Sequence, residues 1–208
     1  CSLKENVDRL SLVCEMGISK RGEITSYCFY DAVIHSHARM TYTDVSDLLA
    51  KPKDDNQENA KKRLRQKYSK LISHIECLHS LFLVRKSKRA EEGAMDFEST
   101  ETRVVFDEDK KLKEILPVLR NDAHKIIEEC MLCANVSAAL LLEKSKIPAL
   151  YRIHDGPNPE KLDSVKKYLG SLGLVLGGGE NPNTRDYSKL LYKIRAREDN
   201  RLLHTMLI

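Results

Sequence analysis

The sequence predicts an α+β fold with antiparallel strands early, then a buried central helix and further helices. Three observations carry that prediction. Two runs rich in β-branched and aromatic residues, 10–18 and 23–34, flank Ser19-Lys20-Arg21-Gly22. Residues 122–144 carry apolar side chains around most of a helix circumference. Beyond residue 155 the punctuation is helical, with Pro159 placed for a first turn and Gly173 for a stop. Strands first and helices later is the α+β pattern.

Ser19–Gly22 reads as a hairpin turn in which Gly22 is free to take positive φ. Ala38 to Tyr42 should stay extended, and Thr43 or Asp44 should cap a short helix ending near Leu49. Pro52 and the polar stretch Lys53–Asn59 are expected to form a loop. Ala60 to Arg85 should be one long amphipathic helix, with Tyr68, Leu71, Ile75, Leu78 and Phe82 on its core face. Gly93 should break the chain before three short strands at 94–98, 102–107 and 112–116, the last two joined by a turn at Asp107–Lys110. The helix from Asp122 to Lys144 is expected to be buried. A short strand at Ala149–His154 and a turn at Asp155-Gly156-Pro157 should precede a helix from Pro159 to about Leu172. The loop around Gly177-Gly178-Gly179 should lead to a helix from Thr184 or Asp186 to Arg195, and a last helix should begin near Asp199.

With 208 residues, 41% hydrophobic and 32% charged, the chain can bury a core without disulfides or metal, and full disorder is excluded. No apolar run approaches the roughly 18 residues of a membrane span. The sequence opens at Cys1 with no initiator Met and no signal-peptide pattern. It closes on an apolar helical pattern, so both ends are expected to be cut from a longer protein. Six cysteines are too few for a disulfide scaffold, and a reducing, cytoplasmic setting is expected.

The net charge of +4 is unevenly spread. Residues 51–90 hold twelve basic and four acidic residues. That segment could contact phosphates through counterion release, or simply be a solvated helix face. The triple glycine is not a GxGxxG fingerprint and opens no βαβ unit.

On spacing alone the remaining chemistry is sparse. Cys130 and Cys133 form a lone CxxC on a helix, read as buried small hydrophobes with a zinc knuckle or redox site as the alternative. Glu128-Glu129 stands in a mostly apolar helix, where a carboxylate must be paired, hydrogen-bonded or functional. Arg120, Lys125 and Arg152 are the candidate ion-pair partners. His154, beside Tyr151 and Arg152, reads as a satisfied structural histidine.

Longer motifs carry more. Arg120-Asn121-Asp122-Ala123-His124, the following IIEECMLCANVSAA and KIPALYRIHDGP (Lys146–Pro157) resemble the RNB exoribonucleases, the ribonuclease II/R family. Cys1-Ser2-Leu3, CEMGISKRGEI (Cys14–Ile24), TYTDVSDLL (Thr41–Leu49), GAMDFES (Gly93–Ser99) and LGGG (Leu176–Gly179) extend the resemblance over nearly the whole chain. RNDAH and the triple glycine resemble the ribonuclease R branch more than the ribonuclease II branch.

The resemblance implies a processive, hydrolytic 3′→5′ exoribonuclease that releases nucleoside 5′-monophosphates from single-stranded RNA. It implies Mg²⁺ held by an aspartate cluster in the two-metal manner. That cluster lies upstream of the CSL motif, the family's catalytic arginine lies downstream of Ile208, and the OB-type RNA-binding domains lie elsewhere. The chain is therefore expected to be the central part of a catalytic domain, inactive alone, with no catalytic or metal-ligating residue of its own. Three positions inherit family roles. Phe97 matches the aromatic that stacks on 3′-terminal bases, and Tyr42 and Glu128 match a pair that recognises the ribose near the 3′ end. Glu129 keeps a structural role. Core packing is the alternative for Tyr42 and Phe97, and a non-catalytic nucleic-acid-binding or scaffold module using segment 51–90 is the alternative for the whole chain.

Overall fold

The first hairpin pairs β1 (Asp8–Ile18) with β2 (Ile24–His35) antiparallel, Asp8 opposite His35 and Gly17 opposite Ser26. Its turn is closed from both sides: Ser19 N donates to the Glu23 carbonyl and Gly22 N to the Ser19 carbonyl, each at 2.9 Å. Ser19 Oγ accepts from the backbone N–H groups of Arg21 and Glu23. Gly22 takes φ +79°, a conformation that a Cβ would penalise. The computed structural model describes residues 2–95, 101–118, 120–153 and 155–207, without the side chains of Glu101 and Val118. Phe97 and His154 lie outside the described residues.

The chain divides into two compact units. The first holds Cys1–Ser87 and Thr100–Pro148. In it, α1 (Tyr42–Leu49), α2 (Asp55–Lys67) and the start of α3 (Ile72–Glu91) gather around buried Leu48, Tyr68 and Ile75. A second hairpin, β3 (Glu101–Phe106) and β4 (Leu112–Val118), turns at Asp107–Lys110, where Asp107 Oδ1 accepts from Lys111 N and Lys110 takes φ +60°. The helix α4 (Asp122–Lys144) packs against α1 and β1.

The second unit holds Lys88–Ser99 and Ala149–Ile208. Its helices α5 (Pro159–Ser171), α6 (Thr184–Ile194) and α7 (Asn200–Leu207) bury Leu162, Leu169, Leu190, Ile194 and Leu203. Pro159 sits in the first turn of α5, as expected, behind an Asn158 cap. Gly93 takes φ +88°, and a Cβ there would meet the Arg185 backbone at 2.9 Å.

Several expectations need correction. The short helix is capped by Thr41, whose Oγ1 accepts from Asp44 N at 3.1 Å, so Tyr42 is its first residue. The loop after Pro52 ends at Asp54, because the Asp54 carboxylate accepts from Gln57 N and starts a helix at Asp55. The single helix over 60–85 is two helices. Tyr68 breaks it by turning into the core, buried, with its hydroxyl donating to Asp44 Oδ2 at 2.8 Å. Ala94 and Met95 are not in a strand, and the rest of that expected strand lies outside the described residues. Ala149–Ile153 is not a strand either: no partner strand pairs with it among the described residues, and Leu150 and Ile153 are exposed.

The α4 boundaries match the expectation, but its burial does not. It buries one stripe, Ala123, Ile126, Glu129, Cys133 and Ser137, while Ile127, Met131 and Val136 stay exposed. The buried Ser137 hydroxyl donates to the Cys133 carbonyl at 2.9 Å.

Candidate functional site

The first turns of α1 and α4 come together. Asn121 caps α4, its side-chain oxygen accepting from His124 N, and His124 completes a capping box by reaching back to the cap. The His124 ring lies in a near-parallel stack on Tyr42, with ring centroids 3.9 Å apart and planes at 16°. Tyr42 is about half exposed, at 46%. Its hydroxyl has no hydrogen-bond partner among the described residues.

Glu128 lies four residues after His124, so the two share one helix face. That spacing is a rise of about 6 Å along the helix. The half-buried Glu128 carboxylate accepts from Arg120 Nη2 just upstream of the Asn121 cap. Tyr42 and Glu128, far apart in sequence, thus reach neighbouring turns of α4 through His124.

Glu129 points the other way. It is 5% exposed and faces Arg85 on α3, with Nε and Oε2 3.8 Å apart. Arg85 was not among its expected partners, because nothing local in sequence joins residues 85 and 129. The two adjacent glutamates therefore differ: one is held in the interior, the other is partly exposed and paired with Arg120.

Phe97 falls outside the described residues. The run leading to it is anchored, with Gly93 against Arg185 and Met95 packed on the core of the second unit.

The basic segment forms α2 and most of α3. No residue of α2 is buried, and several of its charges are paired, Lys62 with Glu58, Arg65 with Glu76 and Lys67 with Asp44. Tyr68 and Phe82 are buried core rings, as the spacing indicated. Burial raises the Cys130 thiol above its ordinary value, and Cys133 is buried. Among the described residues no three His, Cys, Asp or Glu side chains converge as a metal site. These described residues do not fit a Mg²⁺ centre of their own. No helix among them is long and apolar enough to cross a membrane.

The RNB domain profile matches residues 1–208, and the chain belongs to the RNB domain family. It is 47% identical over 208 residues to ribonuclease R of Vibrio parahaemolyticus and 46% identical to ribonuclease R of Escherichia coli. In both cases the whole of this chain is matched, and it spans 24% of the relative's length. The fold matches Mycoplasma genitalium RNase R, solved in complex with ribose methylated single-stranded RNA, with a TM-score of 0.84 at 23% identity. That match covers all of this chain and 31% of the other.

One residue at the site carries a contact that sequence reasoning does not assign. His124 was noticed only as part of a motif, and its i,i+4 spacing to Glu128 was the available signal. Arg120 was named as an ion-pair candidate and does bind Glu128.

Proposed function

We propose that this chain is the central part of the catalytic domain of a processive, hydrolytic 3′→5′ exoribonuclease, and that its task is to hold the 3′ end of single-stranded RNA. The observation that carries the proposal is the placement of Tyr42 over His124, one helical turn from Glu128, in a chain of the RNB domain family. A phenol and a carboxylate can both bond a 2′-hydroxyl, the group that separates RNA from DNA. Phe97 supplies a ring on which a terminal base stacks regardless of sequence.

Mg²⁺ belongs to this reading as the activator of the attacking water, with its ligands supplied from outside these 208 residues. The chain alone is then inactive. The free thiols of Cys14, Cys28, Cys77, Cys130 and Cys133 support a reducing, cytoplasmic setting.

The test uses the full-length protein with Mg²⁺ and 5′-labelled single-stranded RNA carrying a free or blocked 3′ end. Shortening from the free 3′ end with release of nucleoside 5′-monophosphates is expected, and the 208-residue chain alone should leave the RNA intact. Internal cleavage, or processive shortening by the short chain itself, contradicts the proposal.

A further inference from the structure

We propose that His124 is a positioning residue for sugar recognition: its imidazole is the shelf that fixes the Tyr42 ring over the Glu128 face of α4. This rests on the reading of Tyr42 and Glu128 as ribose contacts.

Three observations lead there. Tyr42 is the first residue of an eight-residue helix and is half exposed, so the helix alone leaves its ring free to change rotamer. The ring that meets it is His124, near-parallel at 3.9 Å. His124 is itself clamped: Nδ1 lies 2.8 Å from Asn121 Oδ1, and Asn121 is the α4 cap. The same helix face holds Glu128 one turn further on, and Arg120 engages its carboxylate. The start of α4 thus sets both partners of the sugar, one by stacking and one by charge. Tyr68 shows the contrast. It is buried with its hydroxyl bonded to Asp44, as a tyrosine serving only the fold should be.

Capping and stacking can be separated by substitution. Gln at this position keeps capping-box chemistry without a ring, whereas Phe keeps a ring without Nδ1. The experiment measures, in the full-length enzyme, kcat and KM on matched RNA and 2′-deoxy-substituted oligonucleotides, with melting temperature, for the parent, His124→Gln, His124→Phe and His124→Ala. The preference for RNA should fall roughly two- to tenfold in the Gln and Ala variants, the scale of one aromatic stack. It should return toward the parent value in Phe, even where Phe melts lower than Gln. A preference that follows melting temperature across the four proteins, or is unchanged in a folded Gln variant, overturns the proposal. Tyr42→Ala and Glu128→Ala separate the two levels. If they lower the preference while His124→Gln does not, only the positioning role fails. If they too leave it unchanged, the ribose reading fails with it.

Discussion

Arg85 on α3 and Glu129 on α4 face each other across 3.8 Å with side chains only 11% and 6% exposed. Arg85 also donates through Nη1 to the Gly22 carbonyl, so one guanidinium ties α3 to α4 and to the first hairpin turn. Removing one charge of a buried pair costs about 3–5 kcal/mol. Glu129→Ala should therefore unfold at markedly lower urea, and Arg85→Ala at lower urea still, since it also orphans the Gly22 carbonyl. An apolar double substitution, Arg85→Met with Glu129→Leu, should recover much of the loss. Equal stability of both single variants and the parent, in urea titrations followed by circular dichroism, would show the pair to be incidental.

Tyr68 and Asp44 give a pH signature. The hydrogen bond from Tyr68 holds the Asp44 carboxyl below its ordinary value, assisted by Thr41 and Lys67. A group depressed in the folded state stabilises above its unfolded-state value, and that stability is lost as pH falls through the folded value. Tyr68→Phe should cost about 2 kcal/mol at neutral pH, the scale of a hydrogen bond to a charged group. The gap between parent and variant should narrow only as pH falls below the ordinary carboxylate range near 4 and through the parent's lowered Asp44 value, closing once the carboxyl is protonated in both. Stability curves that stay parallel down to acid pH would rule out this coupling.

The CxxC pair makes a third prediction. Burial holds the Cys130 thiol in its protonated form and Cys133 is almost fully enclosed, whereas Cys28 and Cys77 are exposed. Alkylation of the native protein, read by mass spectrometry, should label Cys28 and Cys77 first and reach Cys130 and Cys133 only in urea. One equivalent of zinc released on thiol modification would instead make the pair a metal knuckle.

Phe97 makes a fourth. In the full-length enzyme, Phe97→Ala should loosen the hold on the last nucleotides by about 1–3 kcal/mol and change the smallest end product. The melting temperature should move little. A large drop in melting temperature with the end product unchanged would make Phe97 a core residue.

Local chemistry was the legible part of this fold. The hairpin at Ser19–Gly22, the Asp107–Lys110 turn, the span Asp122–Lys144 and the Pro159 start all follow from signals within a few residues. The helix break at Tyr68 was not legible, because an apolar residue at helical spacing looks the same whether the helix continues or its ring turns into the core. The one-sided burial of α4 was hidden for a related reason: periodicity shows which residues are apolar, not which face another element covers. Charge partners divide the same way. Arg120 for Glu128 was in reach of spacing, while Arg85 for Glu129 depends on how α3 lies against α4. At the site, Tyr42 and Glu128 came from motif resemblance. The stack that joins them through His124 exists only in three dimensions.

The most direct measurement is the ratio of RNA to DNA turnover on matched oligonucleotides by the full-length enzyme, for the parent and the double variant Tyr42→Phe with Glu128→Ala. A site built to bond a hydroxyl rejects the analogue lacking it, because its own polar groups are then left unpaired. Removing those groups should bring the two rates closer, through relatively better DNA turnover or tolerance of a deoxy sugar near the 3′ end. An unchanged ratio in a double variant with the parent's melting temperature would contradict the assignment of Tyr42 and Glu128 to the 3′-terminal ribose.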